Sequence, residues 1–174
     1  MSRNFKRNNE VRTTLENVLR LESTNLLDLE NNFELCRNKP YFVDLCKMLI
    51  VDYIVDTRDH HGANIEVLTN LTESRLAPIY DTGYSLFSPV NPISNYGLKY
   101  IEYEGPNNNF LISLFWSDVL YKLKGEITLP AVNPNDLYFD DLAKYFDEDI
   151  TDLLNICKNV IIGRYEYARS ILCS

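Results

Sequence analysis

Glycine is scarce in this chain. Its six glycines, Gly62, Gly83, Gly97, Gly105, Gly125 and Gly163, are scattered, and the nearest two stand eight positions apart. That spacing excludes a phosphate-cradling P-loop, a dinucleotide-binding fingerprint and a GxSxG nucleophile elbow, which all need glycines clustered at fixed positions. Cysteine is scarce too. Cys36, Cys46, Cys157 and Cys173 form no CxxC pair and read as reduced, structural thiols. No apolar run approaches the roughly 20 residues that span a bilayer. The N-terminus, MSRNFKRNNE, is basic but lacks the apolar segment of a signal peptide. Positive charge is in deficit, with 17 Lys and Arg against 25 Asp and Glu and a formal charge of −8. A net acidic surface argues against nucleic acid or an anionic membrane as the main partner. These absences lead to the expectation of a cytoplasmic protein with no direct contact to nucleic acid or membrane.

What the chain does have is apolar and aromatic material, 45% and 12% of its 174 residues. That is enough for one domain, residues 1–174, with a substantial core. Val11, Leu15, Val18 and Leu19 recur at helical spacing, which predicts a helix over 10–22. Ser23-Thr24-Asn25 reads as a break and a new N-cap, leading into a short helix through about Cys36. Pro40 suits the first residue of the next helix. From Tyr41 to Val55 that helix is apolar nearly all round, the mark of a helix buried in a core.

The polar loop Arg58–Ala63 follows. Asn64–Leu68 predicts a strand, Thr69–Ser74 a turn, and Arg75–Tyr80 a second strand that Pro78 confines to an edge. From Asp81 to about Asn109 the chain is rich in Pro and Asn and reads as irregular. Helices are predicted again at Phe110–Leu123, at Asn135–Phe146 and from Asp149 onward. The fold class expected is mainly α (α+β), helical with one central β-hairpin. The motif-bearing core covers about 40–90 and the helical remainder 110–174.

The hairpin is flanked by two polar turns. The first reads Asp59-His60-His61-Gly62-Ala63-Asn64 and the second Asp81-Thr82-Gly83. Asp59 and Asn64 are five apart, and Asp81 lies 22 residues past Asp59. In protein-kinase phosphoryl transfer an Asp accepts the proton of the attacking hydroxyl, and an Asn five residues on binds a metal. The Asp of a later D-x-G turn binds it too. A hairpin between the turns would bring Asp81 back towards Asn64 across one cation. Mg²⁺ takes carboxylate, amide oxygen, phosphate and water, which is the donor set here. Zinc is not expected, because His60 and His61 are adjacent and no cysteine lies nearby.

"TRDHHGAN" followed by "RLAPIYDTGYSLF" resembles the C-terminal lobe of HipA-like serine/threonine kinases, including bacterial CtkA-type relatives. That family has a D-x-H-x-x-N loop, filled here by Asp59, His61 and Asn64. Its later apolar-Ala/Thr-Pro-apolar-Tyr/Phe-Asp segment is filled by Leu76-Ala77-Pro78-Ile79-Tyr80-Asp81. The likeness covers about residues 40–90 and extends to the helical remainder in outline. It implies a kinase-like C-lobe in which Asp59 is the catalytic base and Asn64 and Asp81 hold Mg²⁺. It also implies that His61, Gly62, Ala63, Asn64, Tyr80 and Asp81 line an ATP site, and that the substrate is a protein Ser or Thr hydroxyl. A kinase also needs a lobe with a Gly-rich loop and a strand lysine, and neither is present here. The expectation is therefore an ATP lobe supplied by a partner chain, by missing sequence, or alongside an antitoxin-like partner, with little activity in the chain alone.

Two other readings stand beside this one. The chain could be a catalytically inactive, kinase-derived interaction module. Such modules often lose a member of the Asp59/Asn64/Asp81 trio, and this chain has lost none. Asp81-Thr82-Gly83 also resembles the turn of aspartic proteases, with Val160–Arg164 as the later apolar-Gly segment. That fold is nearly all strand, however, and Val160–Arg164 continues at helical spacing through Tyr165, Ala168 and Leu172.

Overall fold

The computed structural model describes residues 6–7, 9–23, 25–57, 61–78, 115–133, 136, 144 and 151–174. In chain order it contains strand β1 (Val11–Thr14), helices α1 (Leu15–Arg20), α2 (Leu29–Arg37) and α3 (Phe42–Val55), and strands β2 (Glu66–Thr69) and β3 (Ser74–Leu76). Helices α4 (Trp116–Leu123) and α5 (Thr151–Leu172) complete it. The architecture is α+β. Among the described residues no helix is long and apolar enough to cross a membrane.

The core is built on α3. Phe42, Leu45, Cys46, Met48, Leu49, Ile50, Tyr53 and Ile54 are all buried, but the helix is not enclosed all round: Val43, Asp44, Lys47 and Val51 form an exposed face. α4 and α5 pack on it. Trp116 meets the Tyr53 ring edge-on at 5.8 Å and 61°, a favoured aromatic geometry. Pro40 does not open α3. It sits in a turn, closed by Phe42 N–H donating to Lys39 O at 3.1 Å, and the helix begins at Phe42.

The first predicted helix is corrected. Residues 11–14 form a strand, and only Leu15 onward is helical. Val11 is largely exposed, so its helical spacing from Leu15 carried no core signal. The β-branched Val11, Thr13 and Thr14 favour a pleated surface, and Thr14 caps α1 by accepting from Asn17 N–H at 3.2 Å. The predicted N-cap of the next helix moves as well. Asn25 closes its own turn by accepting from Leu27 N–H at 3.0 Å, and Asp28 caps α2 through Asn31 N–H at 3.1 Å.

The predicted hairpin is present, but as part of a three-stranded antiparallel sheet, ordered β1-β2-β3. Val11 pairs with Thr69 and Thr14 with Glu66. On the other side Val67 pairs with Leu76 and Thr69 with Ser74. Asn70 closes the hairpin turn by accepting from the N–H groups of Thr72 and Glu73 at 2.8 and 2.9 Å. β3 ends at Leu76, two residues before Pro78, as a missing backbone donor demands. Residues 110–114 and the predicted helix Asn135–Phe146, except for 136 and 144, lie outside the described residues. The last helix runs as α5, and Val160–Arg164 lies within it.

Candidate functional site

Of the residues that the sequence singled out, His61, Gly62, Ala63 and Asn64 are described, and they form one turn directly before β2. Asp59, Tyr80 and Asp81 lie outside the described residues. The turn is closed by Asn64 N–H donating to His61 O at 2.8 Å. Ala63 N–H donates to His61 Nδ1 at 3.3 Å. The imidazole therefore acts first on its own turn. Among the described residues no group of three or more His, Cys, Asp or Glu side chains is placed to hold a metal.

The turn is held on its sheet side by the start of α1. Glu16 N–H donates to Gly62 O at 3.0 Å, and Leu15 N–H donates to Ile65 O at 2.8 Å. A helix leaves its first N–H groups without intrahelical partners. Here two of them are satisfied by the Gly62 and Ile65 carbonyls, in and just after the turn, and a third, that of Asn17, by Thr14. Gly62 is buried at this junction. The hairpin then brings the chain back: Ala77 N–H donates to Glu66 O at 2.8 Å. Ala77 thus lies beside the strand only two positions past Asn64.

The helix side is held differently. α3 ends in a Schellman turn, with Thr57 N–H donating to Asp52 O at 2.8 Å and Asp56 N–H to Tyr53 O at 3.3 Å. Asp56 occupies the left-handed position of that turn, with φ 51° and ψ 45°. Arg164 reaches across from α5. Its Nη1 donates to Tyr53 O at 2.5 Å and to Asp56 Oδ1 at 3.4 Å, and its guanidinium stacks 5.1 Å from the Tyr53 ring centroid. Arg164 is 0% exposed and Asp56 1%.

Charge on the sheet is arranged as ion pairs. Arg75 binds Glu10 with both ends of its fork, Nε to Oε1 at 2.8 Å and Nη2 to Oε2 at 2.9 Å. Those bonds, supported by the backbone N–H of Arg7, hold the Glu10 carboxyl below its ordinary range against the opposing effect of burial. Arg7 also pairs with Glu73 at 2.8 Å, and Arg12 pairs with the buried Glu66. The cysteines are free thiols. Burial raises Cys36 and Cys46 to about 12 and Cys157 to about 11, which removes them as nucleophiles.

Sequence reasoning gave no role to Asp56 or the Thr14–Glu16 junction, and took Arg164 only as the end of the Val160–Arg164 segment. For Arg164 a signal existed. It stands at helical spacing between Val160 and Ala168, both buried, where an apolar residue is expected. Comparison with protein-family models, with curated proteins and with solved structures finds no match to this chain.

Proposed function

We propose that this chain carries the catalytic-loop half of a protein serine/threonine kinase. The reaction is transfer of the γ-phosphoryl group of ATP to a protein hydroxyl. The observation that supports this best is the β2–β3 register. A hairpin that returns Ala77 to Glu66 directs the chain leaving it back towards the Asn64 turn, as a metal shared by Asn64 and Asp81 requires.

The donor set suits Mg²⁺, because an amide oxygen from Asn64 and a carboxylate from Asp81 are hard oxygen ligands. When bound, the ion supplies charge neutralisation at the phosphates. Asp59 accepts the proton of the substrate hydroxyl as its oxygen bonds to phosphorus and the bond to the ADP oxygen breaks. Backbone groups of His61–Asn64, fixed by α1 and by their own turn, keep Asn64 in place two residues before β2. The kinase-like C-lobe is the fold this reading assigns. The ATP-covering lobe then comes from a partner chain, antitoxin-like or otherwise, or from sequence beyond these residues.

Calorimetric titration with Mg²⁺–ATP tests this. The chain alone is expected to bind weakly. Asp81→Ala removes a direct ligand and is expected to weaken binding by more than the roughly tenfold lost with outer partners. Equal binding by the two proteins sinks the metal assignment. Efficient protein phosphorylation by the chain alone sinks the need for a second lobe.

A further inference from the structure

Two choices at the end of α3 run against local stability. The left-handed position of a Schellman turn favours glycine, yet Asp56 fills it. A buried helix face favours an apolar side chain, yet α5 places Arg164 there at 0% exposure. Replacing a buried ion pair with apolar residues is often neutral or stabilising, so packing alone does not account for this pair. Locally unfavourable choices that meet at one point are expected where function constrains geometry. These two meet through Nη1 of Arg164, which binds both the Tyr53 carbonyl and the Asp56 carboxylate. Tyr53 O also accepts from Asp56 N–H, so the cation grips the turn at its backbone and at its side chain. Three positions separate Asp56 from Asp59 in the sequence.

We propose that Arg164 is a positioning residue. It fixes Asp56 and Thr57, where the chain leaves α3, and so sets the direction from which the sequence approaches the His61–Asn64 turn. The proposal rests on the kinase reading of that turn. An arginine suits the role because its planar guanidinium stacks on the Tyr53 ring while Nη1 holds both acceptors, and a lysine ammonium has no planar face to stack. On the far side, α1 holds the turn itself through the Gly62 and Ile65 carbonyls.

The test uses the full chain, ¹⁵N-labelled, as wild type, Arg164→Lys, Arg164→Met and Arg169→Met. Arg169 lies on the same helix with a partly exposed side chain and controls for lost charge. Two quantities are read, amide exchange and affinity for Mg²⁺–ATP. In Arg164→Lys, exchange at Thr57 is expected to rise about tenfold while Val67 and Leu68 in β2 stay unchanged. Mg²⁺–ATP affinity is expected to fall about ten- to a hundredfold in Arg164→Met, less in Arg164→Lys, and not in Arg169→Met. Unchanged affinity in Arg164→Lys overturns the proposal, whether or not the Met variant folds, because a merely structural arginine would give that result. If the wild type binds no Mg²⁺–ATP, the kinase reading fails on its own. The positioning role then stands if the Ala63 and Asn64 amide signals move in Arg164→Lys, and falls if they do not.

Discussion

The two sides of the His61–Asn64 turn are held by opposite means. On the helix side a single cation, Arg164, is buried among α3 and α5 and fastens the end of α3. On the sheet side many smaller contacts act together. They are two α1 backbone bonds, one side-chain cap, the exposed pair Arg7–Glu73, and two pairs whose carboxylates, Glu10 and Glu66, are buried while their arginines reach solvent. The difference in environment decides the difference in sensitivity. Removing one partner of a buried pair costs about 3–5 kcal/mol, because a charge is left in low dielectric. An exposed pair such as Arg7–Glu73 contributes about 0–1 kcal/mol and weakens in salt, and the partly exposed arginines of the other sheet-side pairs place them between these limits. The helix side is therefore concentrated and brittle, the sheet side distributed and tolerant.

The largest effect should come from the core on which the helix side rests. Leu49 is 0% exposed in the middle of α3. Leu49→Ala is expected to destabilise by about 2–5 kcal/mol, from lost apolar transfer and a residual cavity. Urea unfolding measures it as a lower midpoint with the same slope. A loss under about 1 kcal/mol would mean that α3 is not the centre of the core, and the contrast between the two sides would lose its basis.

How much of this was legible in the sequence follows the same division. α3 was legible because most of its positions from Phe42 to Ile54 are apolar and buried, although its exposed face, Val43, Asp44, Lys47 and Val51, was not, because two of those four residues are themselves apolar. The β2–β3 hairpin was legible from its polar Asn70–Glu73 turn. β1 was not, because its partner is β2, more than 50 positions away, and pairing of that kind leaves no local periodicity. The site divides likewise. The Asp59/Asn64/Asp81 pattern is a matter of spacing in the sequence, and only Asn64 of the three lies among the described residues. The grip of Arg164 on Asp56 joins positions 108 apart, and only the misplaced charge in an apolar face hinted at it.

A smaller effect, and one that separates the sheet side by its chemistry, comes from acid. Glu10 is held below its ordinary value of 4.5, mainly by Arg75. A depressed carboxyl contributes stability that is complete above its unfolded value and is lost as pH falls through the lowered native value. Wild type should therefore begin to lose stability only below pH 4.5 on this account. In Arg75→Met that lowering disappears. The variant is expected to be weaker near neutral pH and to show a shallower further loss on acidification. Urea midpoints at a series of pH values measure this. Parallel acid limbs in the two proteins would remove Glu10–Arg75 as a pH-dependent fastening of β1 to β3.

The smallest effect sharpens the contrast most, because it acts on the turn itself. Thr14 satisfies Asn17 N–H, while the neighbouring N–H groups of Leu15 and Glu16 are spent on Ile65 O and Gly62 O. Thr14→Ala removes one contact of three and is expected to cost about 1 kcal/mol, whereas Thr14→Ser keeps the acceptor and most of the stability. Because the other two contacts are backbone bonds, the alanine variant should fray α1 without releasing the turn. Exchange should quicken at Asn17, while the amides of Glu16, Ala63 and Asn64 stay close to wild type. If Ala63 and Asn64 instead quicken as much as Asn17, the cap is indispensable, and the sheet side is as concentrated as the helix side.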